Sequence, residues 1–274
     1  MPDPAKSYDV RRPWTAVAAG VLVGTLGGLI GLGGAEFRLP ILITIFALLP
    51  HRAVRFNLLV SLITLAFAFA TRLNVHSGAG IIPNMDVLVS MIAGGMIAAW
   101  VGAGMLSRIP PARLMSIIAQ LLLVVAVLLV AEAVFSAGTP FELPHNPVVR
   151  AIAGVFAGLV VGAISSLLGV AGGEFIIPIL IFLFGADIQT AGTLSLLISL
   201  PIVAIGVAKH RLNHHYHSRD VLVHLVLPMS LGSIAGAILG GYLSAYAATG
   251  LLKMVLAAIL AASAIKLWHK GHGA

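Results

Sequence analysis

Two glutamates, Glu36 and Glu174, each stand inside a long apolar run beside a glycine cluster. The first stretch reads Gly31-Leu32-Gly33-Gly34-Ala35-Glu36-Phe37-Arg38-Leu39-Pro40, and the second Gly169-Val170-Ala171-Gly172-Gly173-Glu174-Phe175-Ile176-Ile177-Pro178. One constant offset superposes them, Gly34 on Gly172, Glu36 on Glu174 and Pro40 on Pro178. A carboxylate inside an apolar membrane helix is costly and by default marks a functional site. Three chemistries are open to the pair: capping exposed N–H groups, carrying a proton, or coordinating a cation.

The residues around the glutamates add donors. Glycine at 33, 34, 172 and 173, beside Ala35, Phe37, Ala171 and Phe175, clears side chains from the backbone. Pro40 and Pro178 suit the first turn of a helix starting after the glycines. The free N–H groups and positive dipole end of such a helix favour an anion. Arg38 has no cationic counterpart, because Ile176 stands at its place in the second copy. It is an anion ligand, a counter-ion to a glutamate, or a residue reaching for an interface. Asn57 and Ser61 lie four apart, hence on one helix face. Their counterparts are Ser195 and Ser199, joined by Thr193. These groups can donate to an oxyanion or bond their own helix backbone. His210, His214, His215 and His217 invite a metal reading, but a solvated basic loop is preferred and no metal site is assigned.

These groups sit in a chain that only lipid can solvate. Apolar residues make up 59%, charged residues 9%, and mean hydropathy is +1.08. Soluble domains carry about a quarter charged residues, and the apolar runs here reach the roughly 20 residues that cross a bilayer. The fold class is therefore an all-α polytopic membrane protein. The net charge of +7 has no basic face or aromatic stacking run beside it, so nucleic acid is excluded as a partner. There is no cysteine, which removes disulfides and thiolate chemistry. No phosphate-binding loop, His-Glu-x-x-His pair or nucleophile elbow occurs, so neither an enzyme nor a cofactor is expected.

The duplication organises the chain. Residues 1–134 form a first repeat, with a broken-helix hairpin at 14–49 and helices at 54–71, 86–106 and 114–134. Residues 135–150, with three prolines, form a linker. Residues 151–268 form a second repeat, with a hairpin at 151–185 and helices at 190–208, 220–243 and 251–268. Asp86-Val87-Leu88-Val89 and Asp220-Val221-Leu222-Val223 extend the echo. Small residues recur every fourth position in both halves, as in Ala16, Gly20 and Gly24 or Gly94, Ala98 and Gly102 in the first and Gly154, Gly158 and Gly162 or Gly232, Gly236 and Gly240 in the second. Such stripes serve close packing in lipid, either within the chain or across a homodimer.

Charge sets the expected topology, because cytoplasmic loops collect Lys and Arg. If each hairpin enters and returns on one side, residues 1–13, 47–55, 107–113, 209–219 and the C-terminal tail lie inside. They hold twelve of the sixteen Lys and Arg residues. Both termini are then cytoplasmic in a multi-pass plasma-membrane protein. Three crossings follow each hairpin, and an odd number inverts the second repeat. The two broken tips then meet near the midplane, as in many secondary transporters.

The paired motifs, Gly33 to Pro40 and Ala171 to Pro178, resemble the sulfite exporter TauE/SafE family of membrane permeases. The resemblance covers nearly the whole chain. It implies export of sulfite, small organosulfonates or related anions. The combined expectation is a secondary transporter holding a small anion between the tips, with lipid around it. An anion channel, or a cation or metal permease built on the glutamates, is the alternative.

Overall fold

The computed structural model describes residues 13–30, 34–73, 82–134, 143–144, 146–213, 216, 219–244 and 249–272. The described chain is all-helical. Helices α1 (Pro13–Ile30), α2 (Ala35–Thr44), α3 (Pro50–Leu73), α4 (Met85–Met105) and α5 (Pro111–Val134) come first. Helices α6 (Pro147–Leu168), α7 (Gly173–Phe184), α8 (Ile188–Leu212), α9 (Arg219–Val221), α10 (Leu227–Ser244) and α11 (Thr249–His272) follow. A π turn, Leu222–Val226, joins α9 to α10. Among the described residues, six helical stretches are long and apolar enough to cross a membrane. Their outer faces expose large apolar side chains, among them Ile97, Phe156 and Leu231, as a lipid-facing surface requires.

Helix breaks fall at both glycine clusters, between arms of unequal length. The first arm of the second hairpin, α6, is long enough to span alone. The second arms, α2 and α7, have 10 and 12 residues, about 15 and 18 Å at 1.5 Å per residue. Gly34 and Gly172 adopt left-handed backbone, φ 68° and 80°, immediately before α2 and α7. A Cβ on Gly34 would stand 2.6 Å from the Val23 carbonyl oxygen, and one on Gly172 2.7 Å from Val161 Cγ1. Both backbone angle and space therefore require glycine.

Pro40 and Pro178 depart from expectation. Each is the sixth residue of its helix, because the helix starts directly after the left-handed glycine. A proline there removes the N–H that would bond four residues back. The carbonyls released are those of Glu36 and Glu174. The linker is also shorter than expected, since α6 begins at Pro147, with Asn146 Oδ1 accepting from the Val148 N–H at 3.0 Å. The basic segment after α8 is partly helical: Lys209, His210 and Arg211 form the last turn of α8.

The small-residue stripes are consumed inside the chain. Gly20 and Gly24 pack on Met229 and Ser233, while Gly232, Gly236 and Gly240 pack on Val17, Val21 and Thr25. Both series advance together, so α1 and α10 run parallel. Gly154, Gly158 and Gly162 meet Ser90, Met91 and Gly95 in the same sense, so α6 and α4 are parallel too. Each pair joins a helix of one half to a helix of the other. A Cβ at Gly158 would stand 2.2 Å from the Met91 carbonyl oxygen, so these backbones touch. Helices α3 and α4 with α8, and α5 with α11, add further contacts between the halves.

Candidate functional site at the paired helix breaks

The start of α2 is held by α3. Asn57 Nδ2 donates to the Ala35 carbonyl at 2.9 Å. One turn on, Ser61 Oγ lies 2.8 Å from the Asn57 carbonyl and 3.4 Å from the Gly169 carbonyl. A hydroxyl has one proton, so the shorter contact is the bond and the longer one an approach. Gly169 closes α6 in left-handed backbone, φ 66°, and its Cα is pressed against the Val54 carbonyl. The second break thus sits on α3, next to the first.

Charge converges on that point. Arg38 is fully buried, and its Nη1 donates to Ser61 Oγ over a long 3.4 Å. Glu36 and Glu174 are buried and interact electrostatically with each other, and Glu36 also with Arg38. Glu36 faces its own backbone N–H and the Glu174 carboxyl, but among the described residues no donor meets hydrogen-bond geometry at either of its oxygens, nor at Glu174 Oε2 or Asn57 Oδ1. No side chain caps α2 or α7. Elsewhere caps are made: Asn146 at α6, and Asp187, whose Oδ1 accepts from the Thr190 N–H at 3.0 Å before α8. The starts at the breaks share this lack of a side-chain cap with α4 at Asn84, but only at the breaks does the uncapped start follow a left-handed glycine.

The sequence-predicted residues divide accordingly. Gly34, Ala35, Glu36, Arg38, Asn57, Ser61 and Glu174 gather at the junction. Gly172 and Gly173 form the second tip, and Ser195 Oγ would lie 3.3 Å from a Cβ on Gly173. Ser199 is buried on the same face of α8, its Oγ without a hydrogen-bond partner among the described residues. Phe37 packs in the main apolar core, with Phe175 against it, and Ala171 packs with Leu58 and Val203. These three shape the tips and offer no polar group. Thr193 is half-buried one turn before Leu197. Gly33 lies outside the described residues.

Three features were missed in the sequence. Ser165 Oγ donates to the Val170 carbonyl at 2.6 Å and ties the end of α6 to the break. It has no signal, since glycine stands at its place in the first copy. His210 is completely buried, edge-on to Tyr216 at 6.4 Å, and so is no part of a solvated loop. His214, His215 and His217 lie outside the described residues. Tyr216 donates to the Arg55 carbonyl at 3.1 Å. Burial lifts its phenol above the ordinary range against an opposing pull from Arg55, which keeps it a neutral donor. No group of three metal-ligating side chains occurs among the described residues.

A family model described as Sulfite exporter TauE/SafE matches residues 16–270. The chain belongs to this family of membrane transporters. It is 26% identical over 261 residues to the "Probable membrane transporter protein YjnA" of Bacillus subtilis (strain 168), covering 92% of this chain and 98% of that one. A second relative, the "Probable membrane transporter protein YdhB" of the same organism, is 25% identical over 218 residues, 79% of this chain and 85% of that one. No solved structure matches.

Proposed function

We propose that the protein is a secondary transporter, not an enzyme, that exports a small sulfur oxyanion, sulfite or an organosulfonate, across the plasma membrane. The observation that carries this reading is the pair of uncapped helix starts beside a fully buried guanidinium, Arg38. A sulfonate or sulfite head presents three oxygens in a small cone. Open N–H groups of α2 and α7 can each take one, and Arg38 supplies the charge that a neutral donor lacks. Ser61, Ser195, Ser199 and Thr193 line the approaches on α3 and α8.

The site sits between two repeats, residues 1–134 and 151–268, that insert with opposite orientation. The parallel cross-half pairs support this arrangement: α1 with α10, and α6 with α4, are the same contact made twice. Both termini are cytoplasmic in this reading. Rocking of one repeat against the other exposes the tips to alternate sides. Glu36 and Glu174 keep the tips together or carry a proton between the two faces.

Sulfite flux from proteoliposomes tests it. Arg38→Gln should slow flux about ten- to a hundredfold, the worth of a hydrogen bond to a charged group, while the protein still assembles. Glu36→Gln and Glu174→Gln should impair it as well. Wild-type flux from Arg38→Gln would sink the anion site. A conductance far above carrier rates, without counterflow exchange, would replace the carrier by a channel.

A further inference from the structure

The same junction holds more acceptors than an anion site needs. No donor meets hydrogen-bond geometry at either oxygen of Glu36 among the described residues, and the same is true of Glu174 Oε2 and Asn57 Oδ1. All three side chains are at least nine-tenths buried. Asn57 is fixed by its amide N–H on Ala35, the residue before Glu36, which leaves its oxygen at the start of α2. Pro40 and Pro178 also release the Glu36 and Glu174 carbonyls from their helical bonds. An anion offers these groups nothing.

We propose that Glu36, Glu174 and Asn57 form a binding site for one monovalent alkali cation between the two tips. The proposal deepens the transport reading and rests on it for the anion's place beside Arg38. Hard cations take oxygen ligands, carboxylate, amide and backbone carbonyl alike, and broken helices supply such oxygens in other transporters. A proton joins only two oxygens and would leave the amide oxygen of Asn57 without a partner. Charge also favours a single positive charge. Two carboxylates and Arg38 leave one negative charge, which one alkali cation cancels. With the cation bound, the helix starts and Arg38 face an oxyanion without net repulsion. Cation and anion binding are then linked, each raising the affinity of the other.

The test uses the purified full chain in detergent, without sulfite. Its unfolding midpoint is measured in NaCl, KCl and choline chloride at constant ionic strength. A saturable rise with an alkali cation, absent in choline, is expected. Glu174→Gln should raise the half-saturating concentration about tenfold and Asn57→Asp should lower it, since ligand charge tunes cation affinity. Equal midpoints in all three salts would overturn the site, as would a cation response that neither variant changes. If Glu174→Gln fails to fold, Asn57→Asp alone decides. A sulfite titration in NaCl then separates the two readings. A cation response with no sulfite response overturns the anion site and leaves the cation site standing. Sulfite binding equal in NaCl and choline overturns the cation site alone.

Discussion

Single residues decide whether the breaks exist. Gly172 takes a left-handed conformation and has no room for a methyl group. Gly172→Ala should cost about 1–3 kcal/mol from the backbone alone and more from the contact with Val161. Gly192, buried within α8, has ordinary helical backbone, so Gly192→Ala serves as the comparison for the backbone term. Thermal unfolding in detergent of both variants measures the difference. An equal and small loss in each would mean that the break tolerates a side chain. Arg38 and Ile176 show how far apart two copied positions can drift. Ile176 is a core residue on the buried face of α7, whereas Arg38 reaches Ser61 on α3. Only one tip carries a fixed cation, so the junction is asymmetric although its frame is duplicated.

At the scale of elements, stability rests on two parallel pairs in backbone contact. Lipid supplies no hydrophobic drive between helices, so close packing of small residues has to do it. Gly158 meets the Met91 carbonyl, and Gly236 meets that of Val21. Gly158→Leu should separate α4 from α6, and Gly236→Leu should separate α10 from α1. Both variants should give markedly less folded protein by size-exclusion chromatography. Val155→Leu, at a position already exposed on α6, should not. At one end of the α4–α6 pair, Arg150 Nε meets Asp86 at 2.9 Å and its Nη2 meets Asn84 at 3.1 Å. This clamp binds the first half to the second at the helix starts. Arg150, the last residue of the expected linker, instead lies in the first turn of α6, which begins at Pro147, and is buried there.

For the whole molecule, the repeats interlock: each half lends a helix to the other's long pair. Opposite insertion makes a sharp forecast in a chain with no native cysteine. Ile82 and Asn146 precede α4 and α6, while Ser107 and Asn213 follow α4 and α8, and all four are exposed. Single variants Ile82→Cys and Asn146→Cys should react with a membrane-impermeant maleimide from outside the cell. Ser107→Cys and Asn213→Cys should react only after the membrane is opened. Labelling of all four from one side would remove the inverted topology and with it the meeting of two tips at mid-membrane.

The positions of the breaks were readable in advance. Glycine pairs, a carboxylate and a proline in an apolar run have few conformational options in lipid, and repetition at one offset shows the pattern twice. Helix number, the solvent of the outer faces and the family likeness follow from the same one-dimensional signals. Three things depended on contacts between residues far apart in the chain. The prolines fall one turn deeper than expected, because a left-handed glycine starts the helix earlier than proline alone would. The glycine stripes turn inward, because each finds a complementary backbone in the other half, and no single segment can announce its partner. Above all, Glu36, Glu174, Arg38 and Asn57 share one buried junction, 138 residues apart at their extreme. Residue types and spacing define what those groups can bind. Only tertiary packing brings them together, and burial is what gives each unpartnered oxygen its energetic weight.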